Sequence, residues 1–189
     1  TQYWANSVAL YSRAIAVTTN NDLAHNNLGL ELAKSGKISQ AMAHYSEALH
    51  INPHDASANY NMGLAYVAQA RLDIVYHSYF KLLETDPDHD DSSEKSLNAT
   101  LALQAIIQHA SAHFIETLRQ QPGHAGAQNN LGAIMICQGN IEPAIEHFEK
   151  ALRLNPNNER LSNNLKAALA FRKIIKNELK SGITSASTR

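Results

Sequence analysis

From residue 25 to residue 53 apolar side chains recur at helical steps, Leu28 and Leu32 on one half and Tyr45 and Leu49 on the other, with polar residues between them. Gly36 falls between the halves and Pro53 closes the stretch, which predicts two amphipathic helices joined by a turn. The pattern recurs: "NNLGLELAKSGKISQAMAHYSEALHINP" (26–53) lines up with "YNMGLAYVAQARLDIVYHSYFKLLETDP" (60–87) and with "NNLGAIMICQGNIEPAIEHFEKALRLNP" (129–156). Pro53, Pro87, Pro122 and Pro156 are spaced by 34, 35 and 34 residues, and Pro143 alone is out of phase. The Asn-Pro and Asp-Pro pairs at 52–53, 86–87 and 155–156 disfavour helix just before the ring and stop each second helix. Small residues such as Gly29, Ala41 and Ala48 let two helices approach closely. A single unit leaves its apolar stripe exposed, whereas stacked units bury it and present a concave face lined by their first helices.

These residues resemble the tetratricopeptide repeat, a helix-turn-helix unit of about 34 residues. In 22–55 the signature falls on Leu28, Gly29, Leu32, Ala41, Tyr45, Ala48 and Pro53, and in 125–158 on Leu131, Gly132, Met135, Ala144, Phe148, Ala151 and Pro156. Unit 56–89 keeps Met62, Gly63, Tyr66, Tyr79 and Pro87 but has Val75 and Leu82 where Ala is usual. Unit 91–124 is degenerate, with Leu97, Leu101, Ala110, Phe114 and Pro122 retained, Asn98 in place of Gly and Thr117 in place of the second Ala. Residues 1–21 read as the second helix of a truncated preceding repeat, with Tyr11 and Ala14 in register; 159–180 read as a capping helix and 181–189 as a flexible tail. The resemblance implies an all-α fold, a right-handed superhelix of antiparallel helix pairs.

Two readings of the degenerate unit stay open. The register of Ala110, Phe114 and Pro122 favours an ordinary hairpin. The absence of Gly and Pro between Ser92 and Gln120 also permits one continuous helix, which would split the stack into two short blocks and favour an exchanged or paired dimer.

Composition narrows the partners. Among 189 residues, 44% are hydrophobic, and 16 Lys plus Arg balance 17 Asp plus Glu without a basic run. Neither a phosphate backbone nor an anionic membrane is an indicated ligand, and no apolar run long enough to span a bilayer occurs. The one cysteine, Cys137, excludes an internal disulfide. The chain opens inside the repeating pattern and without Met, and the expectation is a processed product or a piece of a longer protein.

In the tetratricopeptide repeat the second, fifth, sixth, ninth, twelfth and thirteenth places of a unit face the groove. The resemblance therefore nominates Asn26, Tyr60, Lys95 and Asn129 at the fifth place, and Asn27, Asn61, Asn130 and Asn164 at the sixth, where Ser96 interrupts the row. Leu30, Leu64 and Ala133 stand at the ninth and Lys34 at the thirteenth. The asparagine row resembles the ladder of the O-GlcNAc transferase superhelix, which holds the backbone of an extended peptide. An amide offers donor and acceptor together, so such a row suits peptide N–H and C=O groups. The alternative is that these amides solvate the face or satisfy a neighbouring helix. Chaperone-binding relatives grip a C-terminal carboxylate through a Lys and Asn clamp; Leu30 and Ala133 stand where that Asn would be, so a neutral, partly apolar segment is the better ligand.

Catalytic chemistry finds no support. Of the ten histidines, His44, His113 and His147 share one place on second helices and are expected on a solvated face. His109 and His113 stand one turn apart as a metal pair would, but no third ligand accompanies them. "DPDHDD" (86–91) lacks the Gly and terminal Glu of a calcium loop, and Cys137 is expected as a small apolar residue. No catalytic residue, metal or cofactor is therefore assigned.

The functional expectation is a non-catalytic scaffold that binds a protein or extended peptide in its groove. Two alternatives accompany it. A module for self-association would act as a homodimer. The stretch "WANSVALYSRAIAVTTNNDLAHNNLG" (4–29) resembles the repeat tail of bacterial multispanning proteins related to protein O-mannosyltransferases. That resemblance implies a substrate-recognition or assembly tail of a membrane glycosyltransferase, facing the periplasm; without it the compartment would be the cytoplasm.

Overall fold

The computed structural model describes residues 7–70 and 94–186, all of its regular structure helical. Among the described residues eight helices follow in order: α1 Ser7–Val17, α2 Asp22–Lys34, α3 Ile38–Ile51, α4 Ala56–Gln69, α5 Glu94–Gln120, α6 Ala125–Cys137, α7 Ile141–Leu154 and α8 Glu159–Ala186. They form two compact units that part between Pro122 and Gly123. In the first, α1 packs on α2, α2 on α3, α3 on α4, and α4 on α5. In the second, α6 packs on α7 and α7 on α8.

Local chemistry sets the helix ends. Asn21 Oδ1 accepts from the Ala24 N–H at 2.8 Å to start α2, and Asp55 Oδ1 accepts from the Ser57 N–H at 2.8 Å to start α4. Histidine takes this role at α6, where His124 Nδ1 accepts from the Ala127 N–H at 3.1 Å. Gly36 and Gly139 adopt φ +76°, the left-handed turn that reverses the chain after α2 and after α6. Pro143, the proline out of phase with the repeat, lies in the first turn of α7, where a missing N–H breaks no helical bond.

The close approach expected of small residues is present. A β-carbon on Gly29 would lie 2.6 Å from Tyr45 Cε1 and 3.1 Å from the Ala41 carbonyl oxygen; on Gly132 it would lie 2.8 Å from Phe148 Cε1 and 3.1 Å from the Ala144 oxygen. Ala41, Ala48, Ala144 and Ala151 are fully buried beside these rings. Leu28, Leu32, Met62 and Ala65 pack into the same core cluster as Ala41 and Tyr45 in the first unit, and Ile136, Ile145 and Ala168 into that of Ala144 and Phe148 in the second.

Two expectations are corrected. Residues 94–120 are one unbroken helix, the second of the two readings left open and not the hairpin that the register favoured, because no Gly or Pro interrupts the sequence where the turn would form. The C-terminal helix runs to Ala186, past the expected end at 180, since nothing between them stops it but Gly182, which a helix tolerates. Val75, Tyr79, Leu82, Pro87 and the 86–91 acidic stretch lie outside the described residues.

Candidate functional site

The nominated first-helix residues divide between the units. In the first, Asn26 of α2 is buried, and its Oδ1 accepts from Nδ2 of Asn61 on α4 at 2.9 Å. In the second, Asn129 of α6 is buried, and its Oδ1 accepts from Nδ2 of Asn164 on α8 at 2.8 Å. In both, the fifth-place amide of one repeat is tied to the sixth-place amide 35 residues later. The ladder is thus partly a fastening between stacked first helices, and Asn26 and Asn129 are its buried anchors.

One amide bond does not exhaust a ladder residue. Asn61 and Asn164 each use one N–H, which leaves a carbonyl oxygen and a second N–H at the half-buried surface. Asn27 is also half-buried, and Asn130 accepts only a long bond from Asn129 Nδ2, at 3.4 Å. Leu30 and Ala133 are half-buried and Leu64 is exposed, so apolar surface adjoins the amides. Lys34 is exposed, with its ammonium 2.7 Å from Glu31 Oε1. The Tyr60 ring lies 5.8 Å from that of Phe114, which makes it a wall of the core as well as of the face. Lys95 falls within α5, but its side chain is outside the described residues.

A second set of contacts was not foreseen. His44, His113 and His147, expected on a solvated face, are half-buried and each meets the fourth place of a first helix. His44 Nδ1 is 3.2 Å from His25 Nδ1, His113 Nδ1 is 2.9 Å from Asn59 Oδ1, and His147 Nδ1 is 2.6 Å from Gln128 Oε1. Burial lowers the pKa of all three, helped by His25 beside His44 and His109 beside His113. A neutral ring donates through Nδ1 to Asn59 or Gln128. The recurrence of His at one place was the available signal, and it pointed to a clasp between helices.

His109 and His113, the candidate metal pair, both stack on Tyr66, with ring centroids 5.2 and 5.7 Å away. Cys137 is half-buried at the end of α6, and desolvation raises its thiol pKa, the opposite of what a reactive thiolate requires. Among the described residues no helix is long and apolar enough to cross a membrane.

Comparison with known proteins supports the repeat fold. A TPR repeat profile matches residues 29–69 and a tetratricopeptide repeat profile matches 125–158. No curated protein matches the sequence. Among solved structures, MamA is similar with a TM-score of 0.61 at 17% identity, over 92% of this chain and 81% of that one. The first TPR domain of RPAP3 bound to an HSP90 peptide, SRMEEVD, is similar with a TM-score of 0.58 at 18% identity, over 84% of this chain and 98% of that one. The Thermobaculum terrenum O-GlcNAc transferase is similar with a TM-score of 0.57 at 19% identity, over 81% of this chain but only 23% of that enzyme.

Proposed function

We propose that this chain, a tetratricopeptide-repeat protein, is a non-catalytic scaffold whose first-helix faces hold an extended segment of another protein. The observation that carries the reading is the repeated amide arrangement, Asn61 on Asn26 and Asn164 on Asn129. Each pair fixes the orientation of a sixth-place amide while leaving it hydrogen-bonding capacity, which is what recognition of a peptide backbone needs. Leu30, Leu64 and Ala133 beside the amides favour a neutral, partly apolar ligand. The similar RPAP3 domain, bound to the HSP90 peptide SRMEEVD, supports a peptide as the class of ligand.

The test is capture of extended peptides from an array by the parent chain and by Asn27→Ala/Asn130→Ala. These positions are half-buried and are not the donors of the inter-repeat bonds. Loss of each amide should weaken capture by about 1 kcal/mol, roughly fivefold. Capture that is indifferent to both substitutions would remove the asparagine row from recognition.

A further inference from the structure

Three histidine clasps tie a first helix to the helix packed on it, and their chemistry differs. In two of them an imidazole meets an amide: His113 Nδ1 lies 2.9 Å from Asn59 Oδ1, and His147 Nδ1 lies 2.6 Å from Gln128 Oε1. The Asn59 amide nitrogen donates to the carbonyls of Pro53 and Asp55 at 3.1 and 3.0 Å, which holds its oxygen toward the ring. Such an oxygen accepts from a neutral imidazole and from an imidazolium alike. Between α2 and α3 a second imidazole replaces the amide: His25 Nδ1 lies 3.2 Å from His44 Nδ1, with ring centroids 5.4 Å apart and planes tilted by 41°.

That bond exists only while one Nδ1 carries a proton and the other a lone pair. A first added proton is tolerated, because an imidazolium donates and the neutral ring still accepts. A second leaves two positively charged donors facing each other, and the contact becomes a repulsion. Burial opposes charging of His44, His113 and His147 alike, but only the His25 and His44 clasp also loses its hydrogen bond. The surrounding groups do not offset this. Asp22, one turn before His25, is engaged by Asn52 Nδ2 at 3.0 Å, and Glu47, one turn after His44, is exposed. Further along α2 Glu31 pairs with Lys34, α1 brings the exposed Arg13 and α3 the exposed His50, and α4 carries no Asp, Glu, Lys, Arg or His. The charge that acts on His44 is that of His25.

We propose that His25 and His44 form an acid-operated latch, which holds the first turn of α2 against α3 and releases it when both rings are protonated. What the latch holds is the start of the amide row. Asn26 follows His25 directly, is buried, and accepts through Oδ1 from Asn61 Nδ2 at 2.9 Å. Release of that turn loosens the fastening of α2 to α4 in the first unit, while the clasp of Gln128 with His147 keeps α6 on α7 in the second. The unfolded chain takes both protons freely, so the stability that the latch supplies is complete above the ordinary histidine range and is lost as pH falls below it. Joined to the scaffold reading, the latch makes the first unit's hold on a peptide weaken in acid; the latch itself does not depend on that reading.

The test is backbone amide hydrogen exchange on the full chain, without any peptide, at about pH 7 and about pH 5, the range over which histidine changes charge. Each rate is normalised to its intrinsic value at that pH, and a metal chelator is present so that protons alone act on the pair. Protection along α2 should fall about fivefold more than protection along α6, the ratio that loss of one hydrogen bond gives. His25→Gln rebuilds in the first unit the pairing of Gln with His that the second already uses, so the variant suits the fold. In it, protection along α2 should fall no more than along α6. Equal losses along α2 and α6 in the parent would overturn the proposal, and so would an excess loss along α2 that persists in His25→Gln. Neither result bears on peptide capture, which the array measures separately.

Discussion

Phe114 closes over Gly63 as Tyr45 closes over Gly29, although Phe114 comes from a repeat later in the chain. The ring and the missing β-carbon form a close contact that recurs in three described helix pairs, α2 with α3, α4 with α5 and α6 with α7.

Crowding that contact should destabilise the fold. Gly29→Ala or Gly132→Ala gains up to about 1 kcal/mol of helix propensity. Against this, the new methyl meets a buried ring and a backbone oxygen at 3.1 Å, and overpacking of this kind costs about 1–3 kcal/mol. The net effect should be a lower midpoint in chemical denaturation for both variants; an unchanged or raised midpoint would mean that the rings move aside.

The asparagines should separate into two classes. Asn61→Ala strands the buried Oδ1 of Asn26, and Asn164→Ala strands that of Asn129, so each should cost about 1–3 kcal/mol of stability. Asn27→Ala leaves no buried partner behind and should change stability by less than about 0.5 kcal/mol. Urea denaturation of the single variants distinguishes them.

Acid should loosen the helix clasps. His44, His113 and His147 have folded-state pKa values below their ordinary 6.5, so the unfolded chain binds more protons between the two values. Their contribution is complete above the unfolded value and declines as pH falls through and below it, levelling off beneath the folded value. Around His113 the facing groups are His109, Tyr66 and Asn59, none an anion that would favour the imidazolium. The melting temperature should therefore drop between about pH 7 and about pH 5. Replacing all three histidines with Gln should flatten that dependence, and an unaltered slope would assign it to other groups.

Much of the fold was legible because the repeat is written in residues whose size matters locally. Gly29, Ala41, Tyr45 and Ala48 announce a close helix pair, and Gly36 and Gly139 announce the turns. The packing of α5 on α4 was not legible, since sequence neighbours are the natural guess, yet the Phe114 ring of α5 lies against Gly63 of α4. The continuous α5 follows from the same region, where a missing breaker outweighs the register of a hairpin. At the candidate site, the amide row was visible as a recurrence at the sixth place. Its fastening to Asn26 and Asn129 was not, because the fifth and sixth places of different repeats meet only after stacking. The histidines misled for a related reason: each lies beside the core aromatic, and the first-helix side chain that covers it comes from across the hairpin.

The most direct measurement is a backbone amide nuclear magnetic resonance titration with a peptide captured from the array. Shift changes should cluster on the first-helix positions of whichever unit holds the peptide, Asn27, Leu30, Lys34 and Leu64 of the first or Asn130 and Ala133 of the second, with Ser46 and Glu149 on exposed second-helix surfaces silent. Changes centred on those second-helix surfaces, with the asparagine row undisturbed, would contradict the groove as the ligand's seat.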